Sequence, residues 1–167
     1  MQNRKESNFM YQYDTYCGLY CGACTIKKAN EDGTLNELAR EWEEDPNSLV
    51  CEGCKGKVTC HYCIGCPIQL CNREKGLEHC GQCPDFPCER LRAFDADKYA
   101  HHTGVIRNLV AKREISTEEW LEGQAKRWRC EKCGARFTWY DEFCLNCGAP
   151  LYNSVKEEEY IKIARPK

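Results

Sequence analysis

Sixteen of the 167 residues are cysteine, a density at which a chain is held together by what its thiols bind rather than by an oily core. They fall in a pattern: Cys17-x3-Cys21-x2-Cys24, Cys51-x2-Cys54, Cys60-x2-Cys63-x2-Cys66-x4-Cys71, Cys80-x2-Cys83-x4-Cys88 and Cys130-x2-Cys133-x10-Cys144-x2-Cys147. Seven intervals contain two residues, the length that turns two sulfurs toward one ion, and tetrahedral zinc is satisfied by two such turns. The usual core formers are scarce, since Leu, Ile, Val and Phe make up only 28 of 167 positions. Disorder does not follow, because the net charge is only −2 and 4 Trp and 9 Tyr offer large surfaces for burial. The length allows one or two small domains, each needing metal or disulfide staples.

No stretch of 18 or more apolar residues is present, and Met1–Tyr16 lacks the apolar segment of a secretory signal, so the expectation is a cytoplasmic protein that does not enter the membrane. In a reducing compartment, cysteines at this density are read as metal ligands rather than disulfides. Ligating sulfurs are thiolates. Counting sixteen of them, with four Zn²⁺, moves the formal charge from −2 to about −10, which disfavours generic binding to polyanions.

Four segments are expected: a cysteine-rich domain over 14–95, a helical connector over 96–128, a zinc ribbon over 129–151 and a polar tail over 152–167. The ribbon is the clearest. Cys130, Cys133, Cys144 and Cys147 form two C-x-x-C-G knuckles, with Gly134 and Gly148 where the turn calls for a positive φ. Arg136–Tyr140 between them is aromatic and β-branched, predicting a short hairpin strand. A single iron on the same knuckles is the rival. Ser116-Thr-Glu-Glu119 is a capping box, predicting a helix over 117–127 whose Trp120 and Trp128 dock the ribbon on its neighbour. A helix is also predicted over 97–114, with Gly104 as its weak point. His101 and His102 lie within it and, being adjacent, face different ways.

In the N-terminal domain, Thr34-x-x-Glu37 is a second capping box, predicting a helix that ends near Pro46, and a further helix is predicted from Pro87 through Phe94. Residues 50–84 between them read as knuckles and turns ordered by metal. A structural tetrathiolate zinc contributes on the order of 10 kcal/mol of apparent folding free energy. The fold class is thus a small metal-stabilised α+β protein, helices with cysteine knuckles followed by a C-terminal zinc ribbon. Cys51, Cys54, Cys63 and Cys66 are expected to share one ion.

The strings Tyr16-Cys-Gly-Leu-Tyr-Cys-Gly-Ala-Cys24, Cys51-Glu-Gly-Cys-Lys55, Cys66-Pro-Ile-Gln-Leu-Cys71, Lys75-Gly76 and Cys80-Gly-Gln-Cys-Pro-Asp-Phe-Pro-Cys-Glu-Arg-Leu91 resemble, in the same order, the domain-of-unknown-function family 3795. These are cysteine-rich bacterial and archaeal proteins held to bind zinc, and the resemblance covers residues 14–95. It implies Cys17, Cys21, Cys24, Cys51, Cys54, Cys63, Cys66, Cys71, Cys80, Cys83 and Cys88 as ligands. Cys60 is additional to that pattern, either a bystander or a twelfth ligand, and with eleven cysteines a histidine such as His61 or His79 would complete a site. The resemblance names no activity.

The functional reading is a multi-site structural zinc-binding protein, carrying three to four Zn²⁺ and acting as an interaction or regulatory module for an unknown protein partner. The alternative is an iron–sulfur redox or electron-transfer protein, its cluster in the N-terminal domain. Cys17-x3-Cys21-x2-Cys24 has the spacing of radical S-adenosylmethionine enzymes, but the βα alternation those enzymes need is missing. Cys60-x2-Cys63-x2-Cys66 is ferredoxin-like, yet Cys71 follows after four residues rather than three. Catalysis has little support, since a four-thiolate zinc leaves no open position and no phosphate-binding loop or H-E-x-x-H motif occurs. Nucleic-acid binding through the ribbon is a less favoured reading. Residues 107–136 carry eight basic side chains against five acidic ones, with Trp128, Phe137, Trp139 and Tyr140 as candidate stacking platforms.

Overall fold

The structure, a computed structural model, describes residues 11–164. Most of the Met1–Tyr16 segment read above, and residues 165–167 of the expected tail, lie outside the described residues. Helix α1 (Thr25–Asp32) begins directly after Cys24 and stops at Gly33. Helix α2 (Leu35–Glu41) follows, but Thr34 makes no side-chain cap, and the helix ends well short of Pro46, which instead opens a short turn over Pro46–Leu49. These elements bury Ile26, Ala29, Leu38, Ala39 and Leu49 in one cluster with Cys60.

The segment expected to be mostly knuckles and turns contains helix α3 (Pro67–Lys75). Pro67 stands in its first turn, where a missing N–H costs nothing, and Gly76 ends it. Helix α4 (Glu89–Asp95) starts two residues after the expected Pro87. The helix expected over 97–114 is α5, Val105–Glu114 only. Gly104 adopts φ 99° ahead of it, and Ala100–His102 forms a separate single turn. Ile68, Leu91, Val105, Leu109 and Cys17 make a second cluster at this junction. Gly18 lies so close to α5 that a Cβ there would sit 2.8 Å from Leu109 Cγ and from the Val105 carbonyl oxygen, and its own carbonyl accepts from Asn108 Nδ2 at 3.0 Å.

Helix α6 (Thr117–Arg127) matches its predicted limits, with Ser116 Oγ accepting from the Glu119 N–H at 3.1 Å. It delivers Trp120, Leu121 and Trp128 to the largest cluster, where they meet Tyr13, Tyr20 and Ala23 from the N-terminal domain and Phe137, Cys144 and Leu151 from the C-terminal module. The tryptophans therefore do join the two parts. Residues 152–167, expected to be a polar tail, include helix α7 (Ser154–Ala164), which buries Ile161.

The β half of the expected α+β class is not formed among the described residues. Pairing there is limited to two single bridges, Arg129 with Arg136 and Phe143 with Pro150. The segment Arg136–Tyr140 scatters its backbone donors: the Phe137 N–H goes to Trp128 O, that of Thr138 to the Asp141 carboxylate at 2.7 Å, and that of Trp139 to Ala23 O at 2.9 Å. A ladder needs the donors of every second residue to face one partner strand, and those of Phe137 and Trp139 go to different segments. The protein is mostly helical. No helix among the described residues is long and apolar enough to cross a membrane.

Candidate metal centre

The C-terminal module brings Cys130, Cys133, Cys144 and Cys147 together so that all four sulfurs lie within 4.8 Å of one another. The Cys130 and Cys147 sulfurs are 3.6 Å apart, and those of Cys133 and Cys144 are 3.5 Å apart. Two equivalent turns build the set. The Gly134 N–H reaches back to Cys130 O at 2.7 Å and the Gly148 N–H to Cys144 O at 2.8 Å, and each glycine takes the positive φ its place requires, 74° and 69°. Beyond each turn an amide donates to sulfur: Ala135 N–H to Cys133 and Ala149 N–H to Cys147.

Electrostatics divides these thiols. The Asn146 side chain and the Ala135 N–H hold the Cys133 thiol down to about 6. Cys147 receives the lowering bond from Ala149, yet desolvation and the neighbouring thiols push it up to about 12. Four thiolates at such separations repel one another, and a divalent cation at their centre relieves the repulsion. The donor set fits a metal ion.

Among the described residues no other set of three or more closes to the same separation, and neither His61 nor His79 joins one. Twelve cysteines remain in the N-terminal domain. Cys17 and Cys60 are buried and the other ten half-buried, and none forms a disulfide. Burial pushes the Cys17 and Cys24 thiols up to about 12 and raises Cys21 as well, with neighbouring thiols adding to each. Cys51, Cys54, Cys63 and Cys66 are not gathered at one point. Cys54 faces Cys66 and Cys17, whereas Cys51 contacts Cys60, whose sulfur is 3.9 Å from that of Cys63. α3 causes the split: Gln69 on it donates to Cys54 O at 2.6 Å and so fixes the Cys66 end of the helix beside Cys54.

The His101 and His102 rings do not part: their centroids are 4.3 Å apart, although each bonds a different partner. His101 stacks on Trp139 with centroids 4.2 Å apart and meets the Tyr140 hydroxyl at 2.6 Å, while His102 pairs with Asp97 at 2.6 Å and stacks on Phe94. Trp128 and Phe137 are buried in the shared cluster. Arg136 is engaged by Glu31 at 2.7 Å and by the Tyr13 hydroxyl at 2.9 Å.

Fold and site together define a cysteine-rich, mostly helical protein with a four-cysteine cluster compatible with metal binding. Residues 13–93 match the family model described as Protein of unknown function (DUF3795). No curated protein and no solved structure matches the chain.

Proposed function

We propose that the chain is a multi-site structural zinc-binding protein of the cytoplasm, holding three to four Zn²⁺, whose metal-ordered surface serves as an interaction or regulatory module. The observation that carries this reading is the closure of Cys130, Cys133, Cys144 and Cys147 within 4.8 Å. A tetrahedral zinc with Zn–S near 2.3 Å sets its sulfurs about 3.8 Å apart, close to the 3.5 and 3.6 Å found for two of the pairs. On this reading the C-terminal module is a zinc ribbon reduced to its knuckles. Phe143 and Leu145 support the interaction role, being 60% and 89% exposed on the second knuckle, where they offer a partner apolar contact without disturbing the sulfurs.

The alternative is an iron–sulfur redox protein. Its support comes from the ferredoxin-like spacing Cys60-x2-Cys63-x2-Cys66 in the N-terminal domain. Anaerobic purification with metal and sulfide analysis separates the two. A colourless protein with three to four zinc ions per chain is the expected result. A brown protein with iron and labile sulfide overturns it.

A further inference from the structure

We infer that the twelve cysteines of the N-terminal domain form three metal sites of four sulfurs each: Cys17, Cys21, Cys54 and Cys66; Cys24, Cys51, Cys60 and Cys63; and Cys71, Cys80, Cys83 and Cys88. This deepens the metal-binding reading above and rests on it.

The first set is built by the backbone. The Tyr16 N–H donates to the Cys54 sulfur and the Cys54 N–H to the Cys21 sulfur, so the two chain segments hold each other's thiols. Cys17 has Cys54 and Cys66 as sulfur neighbours, and Cys21 has Cys54 and Cys17 besides Cys24, the next cysteine along the chain. Gln69 Nε2, 3.9 Å from Cys54 Sγ, completes the junction with α3.

The second set lies on the α1–α2 cluster, against which Cys24, Cys51, Cys60 and Cys63 all pack. Cys60 and Cys63 sulfurs are 3.9 Å apart. The Cys51 thiol meets that of Cys60 and accepts from the Cys60 and Gly53 N–H groups, and Cys24 neighbours both Cys51 and Cys60. Cys60, additional to the family's cysteine pattern, is therefore the centre of a set rather than a bystander.

The third set gathers on the far half of α3. Asn72 Nδ2 donates to Cys80 Sγ at 3.0 Å and Lys75 Nζ approaches Cys83 Sγ at 3.5 Å, which brings the Cys80–Cys83 turn alongside Cys71. Cys80 has Cys88, Cys71 and Cys83 as its sulfur neighbours.

The division explains why spacing misleads. Cys21-x2-Cys24, Cys51-x2-Cys54 and Cys63-x2-Cys66 each place one sulfur in the first set and one in the second. Three short links thus cross from one site to the other instead of each link serving one ion.

Zinc content of the purified full chain and its double variants tests the division. Cys54→Ser with Cys66→Ser should lose one of four zinc ions, as should Cys51→Ser with Cys63→Ser, whereas Cys51→Ser with Cys54→Ser should lose two. Loss of one ion by the last pair overturns the division while leaving zinc binding intact. The unsubstituted chain gives a second measure that does not depend on the variants folding. Alkylation with N-ethylmaleimide during graded removal of zinc by a chelator, read by peptide mass spectrometry, should release Cys54 together with Cys17 and Cys21, and Cys51 together with Cys60. Release of Cys51 and Cys54 as one pair, ahead of the others, overturns the inference. A metal-free chain overturns both the inference and the reading it rests on.

Discussion

Asp14 and Lys112 form an ion pair with almost no access to water: the Lys112 side chain is 0% exposed and that of Asp14 6%. The ammonium also lies 5.0 Å from the centroid of the Trp120 ring. One charge pair therefore ties the start of the N-terminal domain to α5 and α6. Asp14 has a second cation, Lys55, at 2.7 Å. The two ends are unequal for that reason. Asp14→Ala strands a buried ammonium and is expected to cost about 3–5 kcal/mol, whereas Lys112→Met leaves Asp14 paired with Lys55 and should cost less. Urea unfolding of the two variants against the parent checks the order.

Loss of one ligand in the C-terminal set should be felt beyond the metal. Cys144 is buried beside Trp128 and Phe137, in the cluster that α6 shares with Tyr13 and Tyr20. Cys144→Ser is expected to reduce bound zinc by one ion and to shift tryptophan emission to the red as Trp128 is wetted. Unchanged emission with one ion lost would show that the module keeps its packing without metal.

Gly18→Ala places a Cβ against Leu109 Cγ and the Val105 carbonyl, at a φ of 89° that an L side chain tolerates poorly. The expected loss is about 1–3 kcal/mol by the usual cost of overpacking. A neighbouring change that gives room, Leu109→Ala, should recover part of the steric share but not the backbone share. Thermal unfolding of the single and double variants separates them.

Acid should weaken the fold through His101. Burial, and then His102, lower its pKa from the usual 6.5 to about 3. The folded protein keeps this ring neutral while the unfolded chain takes up a proton, so stability is complete above pH 6.5 and falls as pH drops toward 3. His101→Phe keeps the stacking on Trp139 and removes the proton. The urea midpoint of the variant should therefore fall less between pH 6.5 and 5 than that of the parent, and parallel curves would assign the acid sensitivity elsewhere.

Helix α6 was fully legible because two signals agree there, a Ser116 cap and apolar residues at helical spacing. At α5 the apolar spacing ran on upstream, but the positive φ of Gly104 cuts the helix, and that glycine was the visible warning. α3 also carries its signals, Pro67 at the start and Gly76 after the end, but the closely spaced cysteines around it have the pattern of knuckles. α1 and α7 bury few apolar residues from which to read them, Ile26 and Ala29 in the first and Ile161 in the second. The missing strand at Arg136–Tyr140 has a tertiary cause, the capture of the Trp139 N–H by Ala23. In the C-terminal set, spacing alone placed the four sulfurs together. In the N-terminal domain it could not say which sulfurs meet, because that depends on where α3 lies against Cys54 and Cys80.

α3 has only nine residues, fewer than a helix needs to persist alone in water. It has Cys66 just ahead of its first residue and Cys71 within it, about 7.5 Å apart along the axis at the usual rise. Under the proposed reading the two ends of this segment are held by different ions. The helix is then a gauge bar whose straightness is conditional on both supports. Withdrawing metal would not simply empty two cavities but let the bar go slack, and the availability of an ion in the surroundings would be recorded as a length inside the protein.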